Sequence, residues 1–240
     1  MANLAQLRQL EDLHAFFAVD KPAGLPFSSI IKAIKRKFNL VKVSHGGALD
    51  AAASGLVVVL VNDANKFVGD VMGADREYTG TIRLGVKSNT NDVQGELVET
   101  HASCDFSQER LDDAAKEWRG DIFQTEPCFC AVRREGSAAY EIADTGEHKP
   151  FLSHVYRFEV KPREGGRSLA FSLTGTKGVL PRVLAHDFGQ TLGCGAVLET
   201  LRRVRVGKFK VEDAYPFEKI LEIDAQGFIE CAIPLAKALL

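Results

Sequence analysis

Between His45 and Val61 the chain reads His-Gly-Gly-Ala-Leu-Asp-Ala-Ala-Ala-Ser-Gly and then Leu-Val-Val-Val-Leu-Val. The second part has no polar position, so as a strand it must be covered on both faces, and it marks the centre of whatever fold forms. The first part sets one carboxylate, Asp50, among residues too small to shield it. Burying such an acid without a partner costs several kcal/mol or forces it to take up a proton. Asp50 therefore needs a cationic partner, a solvated cleft or a chemical task.

The rest of the chain has the composition of a folded protein. Its 240 residues are 45% hydrophobic and 26% charged, enough to bury a substantial core. No run approaches the roughly 20 apolar residues of a membrane span. The N-terminus lacks the basic-then-apolar pattern of a secretory signal, and the five cysteines stand at irregular spacing, which points to a reducing cytoplasm. Cys128 and Cys130 are one residue apart with no second pair nearby, so they read as buried thiols rather than zinc ligands.

A net charge of −2 argues against a protein that coats nucleic acid non-specifically, but the charge is uneven. Lys32, Lys35, Arg36, Lys37 and Lys42 precede Asp50; Arg202, Arg203, Arg205, Lys208 and Lys210 cluster near the end. Two such clusters either line one groove for a phosphate backbone or are solvated faces.

Periodicity predicts a strand at 15–19, a turn at Asp20-Lys-Pro-Ala-Gly24, and a helix capped by Ser28 or Ser29 with Ile30, Ile31, Ile34 and Phe38 as its buried stripe. It further predicts a short helix at 64–72 and a half-exposed strand at 76–84 with Tyr78, Ile82 and Leu84 on the core side. A polar loop with Gly95 follows at 88–92, then a helix at 107–118 stopped by Gly120 and irregular chain over 121–150. A hairpin around Gly165-Gly166 precedes a helix with Pro181 in its first turn and Gly193 past its end. Strands outnumber helices without β-α-β alternation, which gives an α+β fold on a mixed, largely antiparallel sheet flanked by helices. Residues 1–14 read as an N-terminal extension and 15–240 as one continuous domain.

Asp50 has two candidate partners, His45 and an arginine, Arg182, in the first turn of the helix after Gly178. Tyr78 is suited either to stacking on a planar substrate or to the core, and Lys21 either to a phosphate or to solvent. No Walker loop, dinucleotide fingerprint, His-Glu-x-x-His helix or Gly-x-Ser-x-Gly elbow is present.

Taken in order, these segments resemble the TruB-type tRNA pseudouridine synthases, relatives of the catalytic domain of dyskerin. The pattern Asp-Lys-Pro-x-Gly matches 20–24, and Gly-x-Leu-Asp-Pro-x-Ala-x-Gly is close to 47–55. Lys-x-Tyr followed by a strand and Leu-Gly corresponds to Arg76-Glu-Tyr78 through Gly85, and Asn91-Asp-Val-Gln-Gly95 is similar to Thr-Ser-Asp-x-x-Gly. Gly-x-Ile-x-Gln fits 120–124, Pro-x-x-Ser-Ala fits 127–132, Lys-Gly-Thr-Tyr-Ile-Arg fits 177–182, and Leu-Arg-Arg-x-x-x-Gly fits 201–207. The departures are Gly46 for threonine, Ala51 for proline and Leu180-Pro181 for Tyr-Ile, and Pro181 is expected to alter the start of its helix.

The resemblance implies the pseudouridine synthase fold with a central RNA-binding cleft, without the C-terminal PUA domain, and conversion of uridine to pseudouridine, at position 55 in the T loop of tRNA. It implies no metal or organic cofactor, a monomer, the tRNA T arm as partner, and a cytoplasmic location without membrane. Asp50 would attack the flipped-out uridine or take a proton from it, Tyr78 would stack on the uracil, and Arg182 would pair with the aspartate. Leu180 and Leu201 would form the wall, His45 would wedge into the RNA, and Lys21, Lys32, Lys35, Arg36, Lys177, Arg202 and Arg203 would hold it. A non-catalytic RNA binder or chaperone of the same fold, or a synthase acting on another RNA, is the alternative.

Overall fold

The computed structural model describes residues 10–100, 107–125, 149–164 and 167–239. They form two units: residues up to 76 with those from 202 onward, and residues 77–201.

The first unit begins with β1 (Ala15–Lys21), α1 (Phe27–Lys37), β2 (Val43–His45) and β3 (Ser54–Val61), then a 3-10 turn (Asn62–Phe67) and α2 (Val68–Gly73). β3 pairs antiparallel with β1 from Ala15 opposite Val61 to Lys21 opposite Gly55. Its alternate side chains Val57, Val59 and Val61 join Ile30, Ile34 and Phe38 in one cluster, while Leu56, Val58 and Leu60 join Phe16, Val71 and Val206 in another. This two-sided burial is why the run tolerates no polar residue.

α1 shows the expected stripe, with Ile30, Ile34 and Phe38 buried and Ile31 half-buried, and Lys32, Lys35, Arg36 and Lys37 exposed on its other face. Its start differs from expectation. Neither Ser28 nor Ser29 caps it; the cap residue is Pro26, with no side-chain cap bond, and both serines lie in the first turn. A proline with φ of −58° already has the geometry that delivers a helix. The helix expected over 64–72 is split between the 3-10 turn and α2.

The second unit carries β4 (Arg76–Leu84), the hairpin β5 (Val86–Ser88) and β6 (Leu97–Glu99), α3 (Gln108–Lys116), β7 (Gly120–Gln124), β8 (Phe151–Pro162), β9 (Ser168–Gly175), α4 (Pro181–Thr191) and β10 (Ala196–Val206). Arg76, at the start of β4, belongs to the first unit, and so do the last residues of β10. The strands of the second unit follow the order β10-β4-β9-β8-β7, with β7–β8 and β8–β9 antiparallel. The core joins Ile82, Leu84, Phe158, Leu173 and Phe171 of the sheet to Leu111 of α3 and Leu184 and Phe188 of α4.

β7 corrects the expectation of irregular chain after Gly120. Ile122 and Gln124 point inward and Asp121 and Phe123 outward, so a strand period is present, but its second inward position is polar. Thr81, out of step with the alternate inward positions Tyr78, Ile82 and Leu84, is buried as well and shares a 2.8 Å hydroxyl hydrogen bond with Thr200. The hairpin of β8 and β9 forms as expected, while its Gly165-Gly166 tip, together with Cys128, Cys130 and the 127–132 segment, lies outside the described residues.

From 202 onward the chain completes the first unit with β11 (Phe209–Lys210), a 3-10 turn (Val211–Asp213), β12 (Tyr215–Pro216), α5 (Phe217–Glu222), α6 (Ala225–Glu230), β13 (Ile233–Pro234) and α7 (Leu235–Leu239). β12 pairs parallel and β13 antiparallel with β1. Phe228 of α6 stacks on Phe17 at 4.1 Å and on Phe38 at 3.9 Å between ring centroids. Each such pair adds about 0.5–1.5 kcal/mol beyond its buried area. The sheet is mixed and largely antiparallel, as expected for an α+β fold.

Candidate active site

The predicted catalytic residues are divided between the units: Asp50 in the first, Tyr78 and Arg182 in the second. Asp50 is half-buried in the connection from β2 to β3, in a turn closed by the Ala53 N–H donating to the Asp50 carbonyl at 3.2 Å. Lys21 does not face solvent. It is fully buried, and its ammonium donates to the carbonyls of Pro22, Ala51 and Ala53 at 2.9, 3.0 and 2.5 Å. Burial, then the nearby Arg203 guanidinium, pulls its pKa down to about 8. The Gly24 N–H donates to the same Ala51 carbonyl at 2.7 Å, so the Asp-Lys-Pro-Ala-Gly turn is bonded to the chain just past Asp50.

Arg203 departs from expectation in the same way. It is 1% exposed and donates to the carbonyls of Gly47, Ala48 and Leu56 at 3.0, 3.0 and 2.8 Å. An inward strand position leaves its guanidinium among backbone carbonyls rather than at the surface. Arg202, its neighbour on the strand, forms a bidentate pair with Asp20 at 3.0 and 2.7 Å. His45 is half-buried, edge-on to Phe27 at 4.5 Å, and its Nδ1 accepts the Gly47 N–H at 3.2 Å, so a neutral ring carries its proton on Nε2.

In the second unit Tyr78 is 7% exposed and lies in the core cluster, against which Leu201 also packs. Arg182 occupies the first turn of α4. Pro181 precedes it at a position where the missing N–H costs nothing, so the helix starts undisturbed. Arg182 faces Asp92 at 3.6 Å, with both side chains under one fifth exposed. Burial lowers the Arg182 pKa, and a carboxylate offsets the cost of drawing the guanidinium out of water. Asp92 is itself held by the Thr90 hydroxyl at 2.7 Å and the Gln94 N–H at 2.9 Å.

Leu180, the residue ahead of the helix, is gripped at both backbone groups. Its N–H donates to Oε1 of the buried Gln124 at 3.0 Å, and its carbonyl accepts from Nε2 at 3.2 Å. Lys177 is exposed. Asp92, Gln124 and Arg76 were not singled out by residue-level reading; their signal was that each stands inside a segment that carried the resemblance. Among the described residues no cluster of three or more His, Cys, Asp and Glu suits a metal ion, and no helix is long and apolar enough to cross a membrane. The first unit thus presents a carboxylate on a firmly held loop, and the second an aromatic ring and a carboxylate-supported guanidinium.

Residues 35–179 match the TruB family pseudouridylate synthase N-terminal domain, and 182–238 match the tRNA pseudouridylate synthase B C-terminal domain. A tRNA pseudouridine synthase B of Opitutus terrae is 33% identical over 231 residues, covering 95% of each chain. Its counterpart in Aquifex aeolicus is 34% identical over 209 residues, covering 85% of this chain and 72% of that one. Among solved structures, a crystal structure of a Cbf5-Nop10-Gar1 complex superimposes with a TM-score of 0.75 at 26% identity; it covers 97% of this chain, which spans 63% of the matched chain.

Proposed function

Because the chain belongs to the TruB family of pseudouridylate synthases, we propose that it isomerises uridine to pseudouridine in tRNA, at position 55 of the T loop. The reaction conserves every atom. The bond from the ribose C1′ to N1 breaks, a bond from C1′ to C5 forms, and the proton on C5 is lost while N1 gains one. It needs a nucleophile or base and a surface that retains the detached uracil, and it consumes no second substrate.

In this reading Asp50 is the nucleophile or base, Tyr78 stacks on the uracil, and Arg182 keeps the carboxylate charged. Extruding the base costs a few kcal/mol, which stacking worth about 1–3 kcal/mol and a wedge from His45 offset. Leu180 and Leu201 line the wall. The exposed Lys32, Lys35, Arg36 and Lys177, with Arg202, are the side chains for phosphate contacts, whereas the buried Lys21 and Arg203 are not. A monomer acting on the T arm in the cytoplasm belongs to the same reading.

The observation that supports it is Asp50, half-buried in a loop whose Gly47, Ala48 and Ala51 carbonyls are held by buried cations. Incubation with an unmodified tRNA transcript, followed by mapping of pseudouridine, tests it. Wild type is expected to modify more than one equivalent of tRNA in the T loop, and Asp50→Asn none. No product from wild type, or equal product from the variant, sinks the reading; single-equivalent binding without product would mark an RNA binder instead.

A further inference from the structure

The loop from Gly46 to Ala53 has a few backbone bonds, from the Gly46 N–H to Val58, from the Ala53 N–H to Asp50 and from the Gly24 N–H to Ala51, and buried cations hold several of its other carbonyls. Arg203 spans it. One planar guanidinium bonds Gly47 and Ala48 on the limb leading to Asp50 and Leu56 on the strand that follows. A rigid group with directed N–H donors fixes the distances among its acceptors, so it sets where the chain between Ala48 and Leu56, Asp50 included, stands relative to β3. Arg76 is 6% exposed and holds the start of the loop: its Nη2 donates to the Gly46 carbonyl at 3.4 Å and to Met72 at 3.1 Å, and its Nη1 to Ala74 at 3.4 Å.

The small residues of the loop are the other half of this arrangement. A Cβ on Gly46 would meet Val71 Cγ1 at 2.1 Å, and one on Gly47, where φ is +121°, would come within 2.7 Å of Arg76 Nη2. Gly55 lets Arg203's own backbone approach, since a Cβ there would stand 2.3 Å from the Arg203 carbonyl oxygen.

We propose that Arg203 and Arg76 are positioning residues of the catalytic loop, acting on the reaction through the placement of Asp50 and not by touching RNA. The proposal rests on the isomerase reading above. It assigns a task to two buried cations that residue type alone would give to phosphate.

Arg203→Lys separates charge from geometry, because lysine keeps the cation but not the planar donors. Single-turnover rate, RNA affinity and its salt dependence are measured on the full chain. The expected result is a fall of about 30–100-fold in the rate within the complex, the order that small displacements of a reacting group produce. RNA affinity should stay within about twofold and the salt slope should not change. Arg76→Lys should lower the rate less, and the double variant should lose much less than the product of the two, since both act on one loop.

In Arg203→Gln, which removes the charge, a weaker RNA complex with a salt slope reduced by roughly one and an unchanged rate within the complex would make Arg203 a phosphate contact and overturn the proposal. Amide hydrogen exchange over 46–56 in the free protein gives a reading that needs no activity: faster exchange in either variant supports the proposal, and unchanged exchange in both overturns it. If wild type makes no pseudouridine, the isomerase reading fails while the exchange result still judges the loop. Should Arg203→Lys not fold, Arg76→Lys and Gly47→Ala carry the same exchange and rate measurements.

Discussion

Replacing Gln124 by leucine isolates one backbone group at the start of α4. Leucine is close to glutamine in volume, so no cavity opens in a site where the residue is 1% exposed. Two hydrogen bonds disappear, but their loss is unequal. The Leu180 carbonyl keeps the Leu184 N–H at 3.0 Å, whereas the Leu180 N–H loses its 3.0 Å bond to Gln124 Oε1. One unsatisfied N–H costs about 1–3 kcal/mol. Half-burial of Leu180 gives water partial access, which places the loss at about 1–2 kcal/mol. That corresponds to a melting temperature lower by roughly 2–8 °C in a chain of this size. Freed from the carboxamide, the first turn of α4 shifts and takes Arg182 with it, so the single-turnover rate should fall about tenfold. Urea unfolding with an unchanged slope and rapid-mix single-turnover assays measure the two effects. Gln124→Glu should be worse than leucine, because it sets a carboxylate against the Leu180 carbonyl. Wild-type stability and rate in the leucine variant, or a glutamate variant better than it, would refute the argument.

Asp92→Asn removes the charge facing Arg182 but can keep the bonds from Thr90 and Gln94; the rate within the RNA complex should drop about 10–100-fold with affinity preserved, and a wild-type rate would show that the pair is idle. Lys21 has a folded pKa of about 8 against an ordinary 10.5, so the unfolded chain binds more protons between those values and stability rises with pH across that window, by at most about 3 kcal/mol. Urea midpoints of wild type and Lys21→Met over pH 7.5–10.5 check this, and parallel pH curves would contradict it. Gly55→Ala should destabilise the protein by more than about 2 kcal/mol, because φ is +105° and the new Cβ meets the Arg203 backbone; a loss under about 1 kcal/mol in urea unfolding would mean that β3 yields easily.

What sequence reasoning could see divides along physical lines. β3 was legible because burial on both faces compels an unbroken apolar composition, and α4 because Pro181 and Gly193 serve as punctuation at its two ends. The roles of Lys21 and Arg203 were not legible. A basic side chain near a suspected RNA site reads as a phosphate ligand, and only the folded backbone shows which carbonyls converge on it. β7 was missed since Gln124 puts a polar group at an inward position, where its partner, Leu180, is 56 residues away. The cap of α1 was misplaced because serines are common caps, while Pro26 acts through its fixed φ alone. Asp50, Tyr78 and Arg182 stood out through their shared order along the chain more than through any local pattern.

Arg202 and Arg203 are neighbours in sequence and opposites in circumstance, one at the surface on Asp20 and one sealed among carbonyls. Strand alternation makes that difference a matter of parity. If β10 slipped by one residue against β3, where Arg202 faces Ser54 and Arg203 faces Gly55, the sealed arginine would go to water and its neighbour would be driven inward without matched acceptors. Ser54 would also bring a side chain to the place that only Gly55 leaves open. The dipeptide therefore penalises a sheet closed in the wrong frame, since that register strands one buried set of carbonyls and buries a second cation without acceptors.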